Sequence, residues 1–171
     1  LERSSAASDV YKRQIQCFTF SSEENLNIAI PDGVLGDDGT TQNYGQSILV
    51  PLTLPDYASI SSVSVNVDVT HSWIGDLRVA LIHPDQDLAD ADGDGDQGTY
   101  AIVWNRNCNQ PQQQDLDVTF ADGAGTINCA SPTVGTYSPS QPLSIFNGMP
   151  TFVAADNVAE NWGTNDWALY I

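Results

Sequence analysis

Apolar and polar positions alternate along most of this chain with a period of two. The longest run places Val63, Val65, Val67, Val69, His71 and Trp73 on one side and Ser64, Asn66, Asp68, Thr70 and Ser72 on the other. Successive side chains of a strand point to opposite faces, so this run predicts a long strand with one buried and one wet face. Leu77, Val79 and Leu81, interleaved with Arg78 and Ala80 and stopped by Pro84, predict a second strand. Tyr100, Ile102 and Trp104 predict a third, Leu116, Val118 and Phe120 a fourth, and Trp167, Leu169 and Ile171 a closing strand. Shorter candidates lie at residues 27–30, 47–52 and 151–154.

Turn signals separate these runs: Pro31-Asp32-Gly33, Asp38-Gly39, Pro55-Asp56, Asp122-Gly123 and Asn147-Gly148. No segment sustains the i, i+3, i+4, i+7 apolar spacing of an amphipathic helix. Many short strands joined by turns predict an all-β protein, an antiparallel β-sandwich or jelly roll.

The 171 residues fit one domain, and 41% hydrophobic residues with four Trp, five Phe and six Tyr are enough to fill a core. Residues 1–14, LERSSAASDVYKRQ, read differently from the rest. They hold Arg3, Lys12 and Arg13, three of the five basic residues, and contain no apolar signal-peptide core. They resemble adaptor- or vector-derived sequence, with a disordered native linker as the alternative, and the domain is taken as residues 15–171.

Charge narrows the partners. From Ile15 onward only Arg78 and Arg106 stand against 20 acidic residues, and the whole chain carries −17. Capture of nucleic acid or of an anionic membrane surface needs a basic face, so both are excluded. No run of about 18 apolar residues is present to span a bilayer as a helix. A Lys-free, Asp-rich surface suits an extracellular or salt-rich setting, where cations screen self-repulsion. Cys108 and Cys129 flank a polar stretch and are expected to form a disulfide worth about 3 kcal/mol. The alternative is two buried thiols in a cytosolic protein, and Cys17 is left over.

Catalytic chemistry is hard to assemble from these residues. His71 and His83 are the two histidines. His71 continues the apolar face of its strand and reads as a core histidine bonded to backbone, whereas His83 reads as an edge or turn residue. The chain has no G-x-S-x-G elbow, no H-E-x-x-H, no C-x-x-C and no glycine-rich phosphate loop. The reading is therefore non-enzymatic.

The strongest chemical signal is acidic. Asp85, Asp87, Asp90, Asp92, Asp94 and Asp96 fall within twelve positions, and their mutual repulsion is relieved by a hard cation such as Ca²⁺. Asp90, Asp92 and Asp94 followed by Gly95 match the opening of an EF-hand loop. The twelfth position would be Ala101 in place of the bidentate Glu, and no helices flank it, so the expectation is a calcium-binding turn and not an EF-hand. A solvated acidic hairpin tip is the alternative. Asp32, Asp37 and Asp38, with Asp156, form a possible second metal site, against the plainer reading of surface turns.

The run His71-Ser72-Trp73-Ile74-Gly75-Asp76-Leu77-Arg78-Val79-Ala80-Leu81-Ile82-His83-Pro84 resembles the H-x-x-x-G-D-L-x-x-x-L-x-x-P core of the P domain, or Homo B domain, of kexin- and furin-like proprotein convertases. The same module is similar to one appended to many secreted bacterial proteases and other exported proteins. Gly98-Thr99, Tyr100 to Arg106, Phe146-Asn147-Gly148 and the closing Trp167 to Ile171 continue the resemblance, which spans roughly Asn25 to Ile171. The family's G-x-W-x-L-x-V-x-D strand is degraded here to Thr151-Phe152-Val153-Ala154-Ala155-Asp156.

The resemblance implies a galactose-binding-like jelly roll without catalytic residues, secreted, that packs on a neighbouring subtilisin-like catalytic domain and stabilises it. It makes His71, Gly75, Asp76, Leu77 and Pro84 structural, with Gly75 permitting a tight turn and Asp76 anchoring it by hydrogen bonds. The isolated domain is expected to be monomeric. The rival reading is a calcium-dependent carbohydrate-binding or adhesion module, with Trp162 and Tyr137 as its candidate aromatics.

Overall fold

A computed structural model describes residues 17–22, 26, 28–30, 34–35, 42–43, 48–52, 54, 59–83, 99–110, 113–151 and 167–171. Its strands, in chain order, are β1 (Val34–Leu35), β2 (Gln42–Asn43), β3 (Leu49–Leu52), β4 (Ser64–Val69), β5 (Arg78–Ile82), β6 (Tyr100–Asn105), β7 (Leu116–Gly125), β8 (Thr133–Tyr137) and β9 (Trp167–Tyr170). Two 3-10 turns, Ile74–Asp76 and Leu143–Phe146, are the helical elements among the described residues, and the fold is all-β.

Two sheets face each other, and β1 and β2 form a separate small hairpin. The first sheet has four antiparallel strands in the order β3-β9-β5-β6, and the second has three in the order β4-β7-β8. Val65 and Val67 of β4 stand opposite Phe120 and Val118 of β7, which puts the apolar positions of both strands on one face. That face meets Val79 and Leu81 of β5, Ala101, Val103 and Trp104 of β6, and Trp167 of β9 in one buried cluster. This is sheet-on-sheet packing, stabilised by the apolar area that both inner faces remove from water.

The sequence pattern departs from the structure at four places. The predicted strand from Val63 to Trp73 ends at Val69. The chain must leave the three-stranded sheet and enter the four-stranded one, and the 3-10 turn Ile74–Asp76 makes that crossing. Trp73 is consequently 38% exposed instead of facing the core. On β5, Ala80 and Ile82 are as buried as Val79 and Leu81. Their register partners Ile102 and Ala168 are buried too, so the outer face of this sheet is also covered.

Alternation does not signal β8, and it pairs with β7 in parallel, against the wholly antiparallel expectation. Finally, residues 28–30 form no strand, with Ile28 exposed and only Ile30 packed on the core. Of the candidate strand 151–154, Thr151 lies in a bend and the rest is outside the described residues.

Among the described residues, the outer edge of β6 is met by the segment around Gln141 and not by a strand. The Ile102 N–H donates to Gln141 Oε1 at 2.8 Å and the Gln141 N–H returns a bond to the Ile102 carbonyl at 2.8 Å. Ser140 N–H adds a bond to the Val103 carbonyl. Asp122 in turn holds the start of the second 3-10 turn, its two carboxylate oxygens accepting the N–H groups of Leu143 at 2.9 Å and Ser144 at 2.7 Å. An acceptor placed there satisfies backbone donors that such a turn leaves open.

Candidate functional site

The residues from His71 to Leu77 form the crossing between the sheets, and their geometry is set by two other parts of the chain. His71 donates its N–H to Asp115 Oδ1, and Ile74 donates its N–H to the Gln113 carbonyl at 3.0 Å. Within the turn, the N–H of Asp76 reaches the Trp73 carbonyl at 3.1 Å and that of Leu77 reaches the Ile74 carbonyl at 3.2 Å. Ile74 is fully buried, and its carbonyl also accepts the Trp104 indole N–H at 2.9 Å.

Gly75 is there because nothing larger fits. A Cβ on it would lie 2.8 Å from Asn109 Cα and 2.8 Å from Trp73 Nε1. The expected anchoring by Asp76 takes a different form. Its carboxylate is exposed and accepts no hydrogen bond among the described residues, and the Asp115 carboxylate braces the crossing from across the fold.

The two histidines have exchanged the roles that their positions suggest. His71 is half-buried, with Nδ1 accepting the Trp73 N–H at 3.1 Å. His83 is the core histidine, completely buried, with Nε2 at 2.7 Å from the Pro150 carbonyl. Its ring meets Trp167 edge-on at 4.7 Å and lies 6.3 Å from Phe146. Alternation puts His71 inward, whereas His83, at the end of its strand beside Pro84, reads as an edge or turn residue. The turn at Ile74–Asp76 rotates the chain between them, and the sheet that His83 enters is covered on both faces.

Cys108 and Cys129 are joined in a disulfide, and Cys17 is free and exposed. The bridge ties the loop after β6 to the segment before β8. Three non-glycine residues of this region adopt left-handed backbone: Arg106 at φ 52°, Cys108 at φ 59° and Asp115 at φ 56°. Such conformations persist only where the surroundings over-determine them. The bond from Arg106 N–H to the Leu77 carbonyl, the disulfide and the Asp115 contacts supply that constraint.

The acidic residues named from the sequence, Asp85, Asp87, Asp90, Asp92, Asp94 and Asp96, lie outside the described residues, as do Pro84, Asp32, Asp37, Asp38, Asp156 and Trp162. The points where the acidic stretch leaves and rejoins the sheet are described. Ile82 pairs with Tyr100, and the His83 N–H donates to the Thr99 carbonyl at 2.9 Å. All six aspartates are thus carried on the connection between two adjacent antiparallel strands, with its ends held together. No group of three or more His, Cys, Asp or Glu able to hold a metal is assembled among the described residues.

Tyr137 is not free to act as a ligand platform. It is half-buried, and its hydroxyl donates to the Val134 carbonyl at 3.0 Å while the ring covers Gly135. An open groove of about 350 Å³ is lined by Asp122, Gly123, Ser138, Ser140, Pro142 and Ser144. Its polar groups are already engaged in part, since Asp122 holds the turn described above and Ser138 Oγ donates to the Ala124 carbonyl.

Asp115, Gln113 and Asn109 are the residues that sequence reasoning missed. They brace the crossing from more than thirty positions away in the sequence, which no local pattern records. No protein-family model, curated protein or solved structure matches this chain.

Proposed function

We propose that this chain is a non-catalytic accessory module of the P-domain kind, secreted, which binds Ca²⁺ through its acidic connection and stabilises a neighbouring catalytic domain of the same polypeptide. What supports the reading is the use made of the His71 to Leu81 run. Four residues of the run work inside the fold: Gly75 at a contact that excludes a Cβ, Leu77 and Leu81 in the core, and His71 bonded to the backbone of its own turn. His83 likewise commits Nε2 to a main-chain carbonyl. A general base must reach a substrate proton, and each of these rings commits one nitrogen to the backbone. The disulfide agrees with an oxidising compartment.

The test is made on the longer polypeptide encoded by the same reading frame, expressed with and without residues 15–171. The catalytic domain alone is expected to lose activity on heating several-fold faster than the joined protein. Equal inactivation rates, or a reading frame without a catalytic domain, overturn the accessory role.

A further inference from the structure

β8 forms one edge of the three-stranded sheet, and among the described residues no strand pairs with its outer side. The Thr133 N–H turns toward β7, donating to the Asp115 carbonyl at 3.0 Å. Alternation along the strand therefore turns the N–H and C=O groups of Val134 and Thr136 away from β7, to the outer edge. The Val134 carbonyl accepts the Tyr137 hydroxyl at 3.0 Å and keeps a second lone pair. Val134, Gly135 and Thr136 are all exposed, Val134 by 54%.

Natural sheet edges resist pairing with charges, prolines or bulges. Apart from its shortness, β8 has none of these over Val134 to Thr136, where its register with β7 is regular. The opposite edge of the same sheet, β4, carries the exposed Asp68. The contrast extends along the chain. No Asp, Glu, Lys or Arg lies between Asp122 and Asp156, although the chain holds 22 acidic residues.

A neutral edge on so acidic a chain selects its occupant. A basic partner is drawn to the carboxylate-bearing surfaces, whereas an equally acidic one approaches most easily where charge is absent. The strand is also complementary to itself. Turned about a two-fold axis at Gly135, β8 meets its copy antiparallel and sets Val134 against Thr136, with about four main-chain hydrogen bonds. Asp117, opposite Val134 on β7, is the carboxylate nearest this edge in the register. In such a pair the two copies of β7 stand three strand spacings apart, about 14 Å, beyond the Debye length of about 8 Å at physiological ionic strength.

We propose that β8 is a pairing edge for a second copy of this chain, joining two three-stranded sheets into one of six strands. Five residues a side fall short of a standard interface of about 1,600 Å², so the pair is weak and concentration-dependent. The pairing uses neither the acidic connection nor a catalytic neighbour, and its test is separate from that of the proposed function.

The test follows the whole chain by sedimentation velocity from about 1 μM to about 1 mM. A monomer–dimer equilibrium is expected, and added NaCl should tighten it by screening the repulsion between two acidic bodies. Val134→Lys, at an exposed position, should weaken association about tenfold or more, and Thr136→Pro, which removes an outward N–H, should do the same. Hydrogen exchange of the wild-type protein gives a reading that needs no variant. The amides of Val134 and Thr136 should slow as the protein is concentrated, and those of β4 should not change. A monomer throughout, the state expected from the resemblance, overturns the proposal. So does association that salt weakens, that survives unchanged in a folded Val134→Lys variant, or that protects β4 instead of β8.

Discussion

His71 and Asp115 are joined by two hydrogen bonds across 44 residues of sequence: the His71 N–H donates to Asp115 Oδ1 at 3.1 Å, and the Asp115 N–H donates to the His71 carbonyl at 3.1 Å. The Asp115 carbonyl accepts a third bond, from the Thr133 N–H at 3.0 Å. One residue thus ties the exit of β4, the entry of β7 and the entry of β8, and it does so at φ 56°. Replacing it with Ala removes a charged acceptor and puts a Cβ-bearing residue without a polar side chain in the left-handed region, at a combined cost of about 2–3 kcal/mol. Asp115→Asn keeps an acceptor and tolerates the backbone, so about 1 kcal/mol or less is expected. Urea unfolding of both variants checks this, and equal midpoints would remove Asp115 from the role given to it.

The glycine of the crossing makes a second prediction. Gly75→Ala places a methyl group 2.8 Å from the Asn109 backbone, which cannot move aside as a flexible side chain would. Overpacking of this kind costs about 1–3 kcal/mol. Gly125 is the control, because a Cβ there meets nothing within 4 Å. Gly125→Ala should change stability by less than about 0.5 kcal/mol. A Gly75→Ala protein that melts with wild type would show that the two loops are not in contact.

The histidines are distinguished by burial. His83→Ala leaves a void between Trp167 and Phe146 and deprives the Pro150 carbonyl of its partner, for a loss of about 3 kcal/mol. His71→Ala removes a half-buried ring that accepts one bond from its own turn, and about 1 kcal/mol is expected. Thermal melts of the two variants rank them, and a larger loss at His71 would reverse the assignment of core and surface.

How much of this is legible in the sequence depends on how local the cause is. Val65, Val67, Leu116, Val118 and Phe120 read correctly because period-two alternation is a property of each strand alone. β8 does not, since its buried residue is Thr133 and its apolar Val134 is 54% exposed. Its parallel pairing with β7 is decided by tertiary contacts that no local pattern records. His71 and His83 are misassigned for the same reason: their environments come from Asp115 and Pro150, 44 and 67 residues distant. Of the candidate site, the charge of Asp85 to Asp96 is plain in the sequence. The exposure of Trp73 is not, because it follows from where the chain leaves one sheet for the other.

The disulfide offers a prediction that uses only loop length. Cys108 and Cys129 are 21 residues apart, so removing the cross-link returns about 3 kcal/mol of conformational entropy to the unfolded chain. The bridge also restrains Cys108 at φ 59° and the loop that meets Gly75. The double variant Cys108→Ser, Cys129→Ser should therefore unfold at lower urea, and protease digestion should cut first near Asn107 or Asn109. Unchanged stability under reducing and oxidising conditions would mean that the loop is held by its hydrogen bonds alone.

The acidic connection gives the prediction on which the calcium part of the proposed function rests. With Ile82 paired to Tyr100 and His83 bonded to Thr99, six carboxylates are tethered between two neighbouring points of the sheet. Their repulsion opposes closure of the connection, and a bound Ca²⁺ removes it while stabilising only the folded chain. For a dissociation constant of about 0.1 mM, typical of extracellular modules, about 1 mM Ca²⁺ adds about 1.4 kcal/mol relative to EDTA. In a protein of this size that raises the melting temperature by about 3–6 °C. Asp92→Asn with Asp94→Asn should abolish the calcium response. In EDTA the same variant should melt no lower than wild type, because two of the repelling charges are gone. Coincident melting curves in Ca²⁺ and EDTA would leave the aspartates as a solvated surface, and a full calcium response in the double variant would move the site away from them.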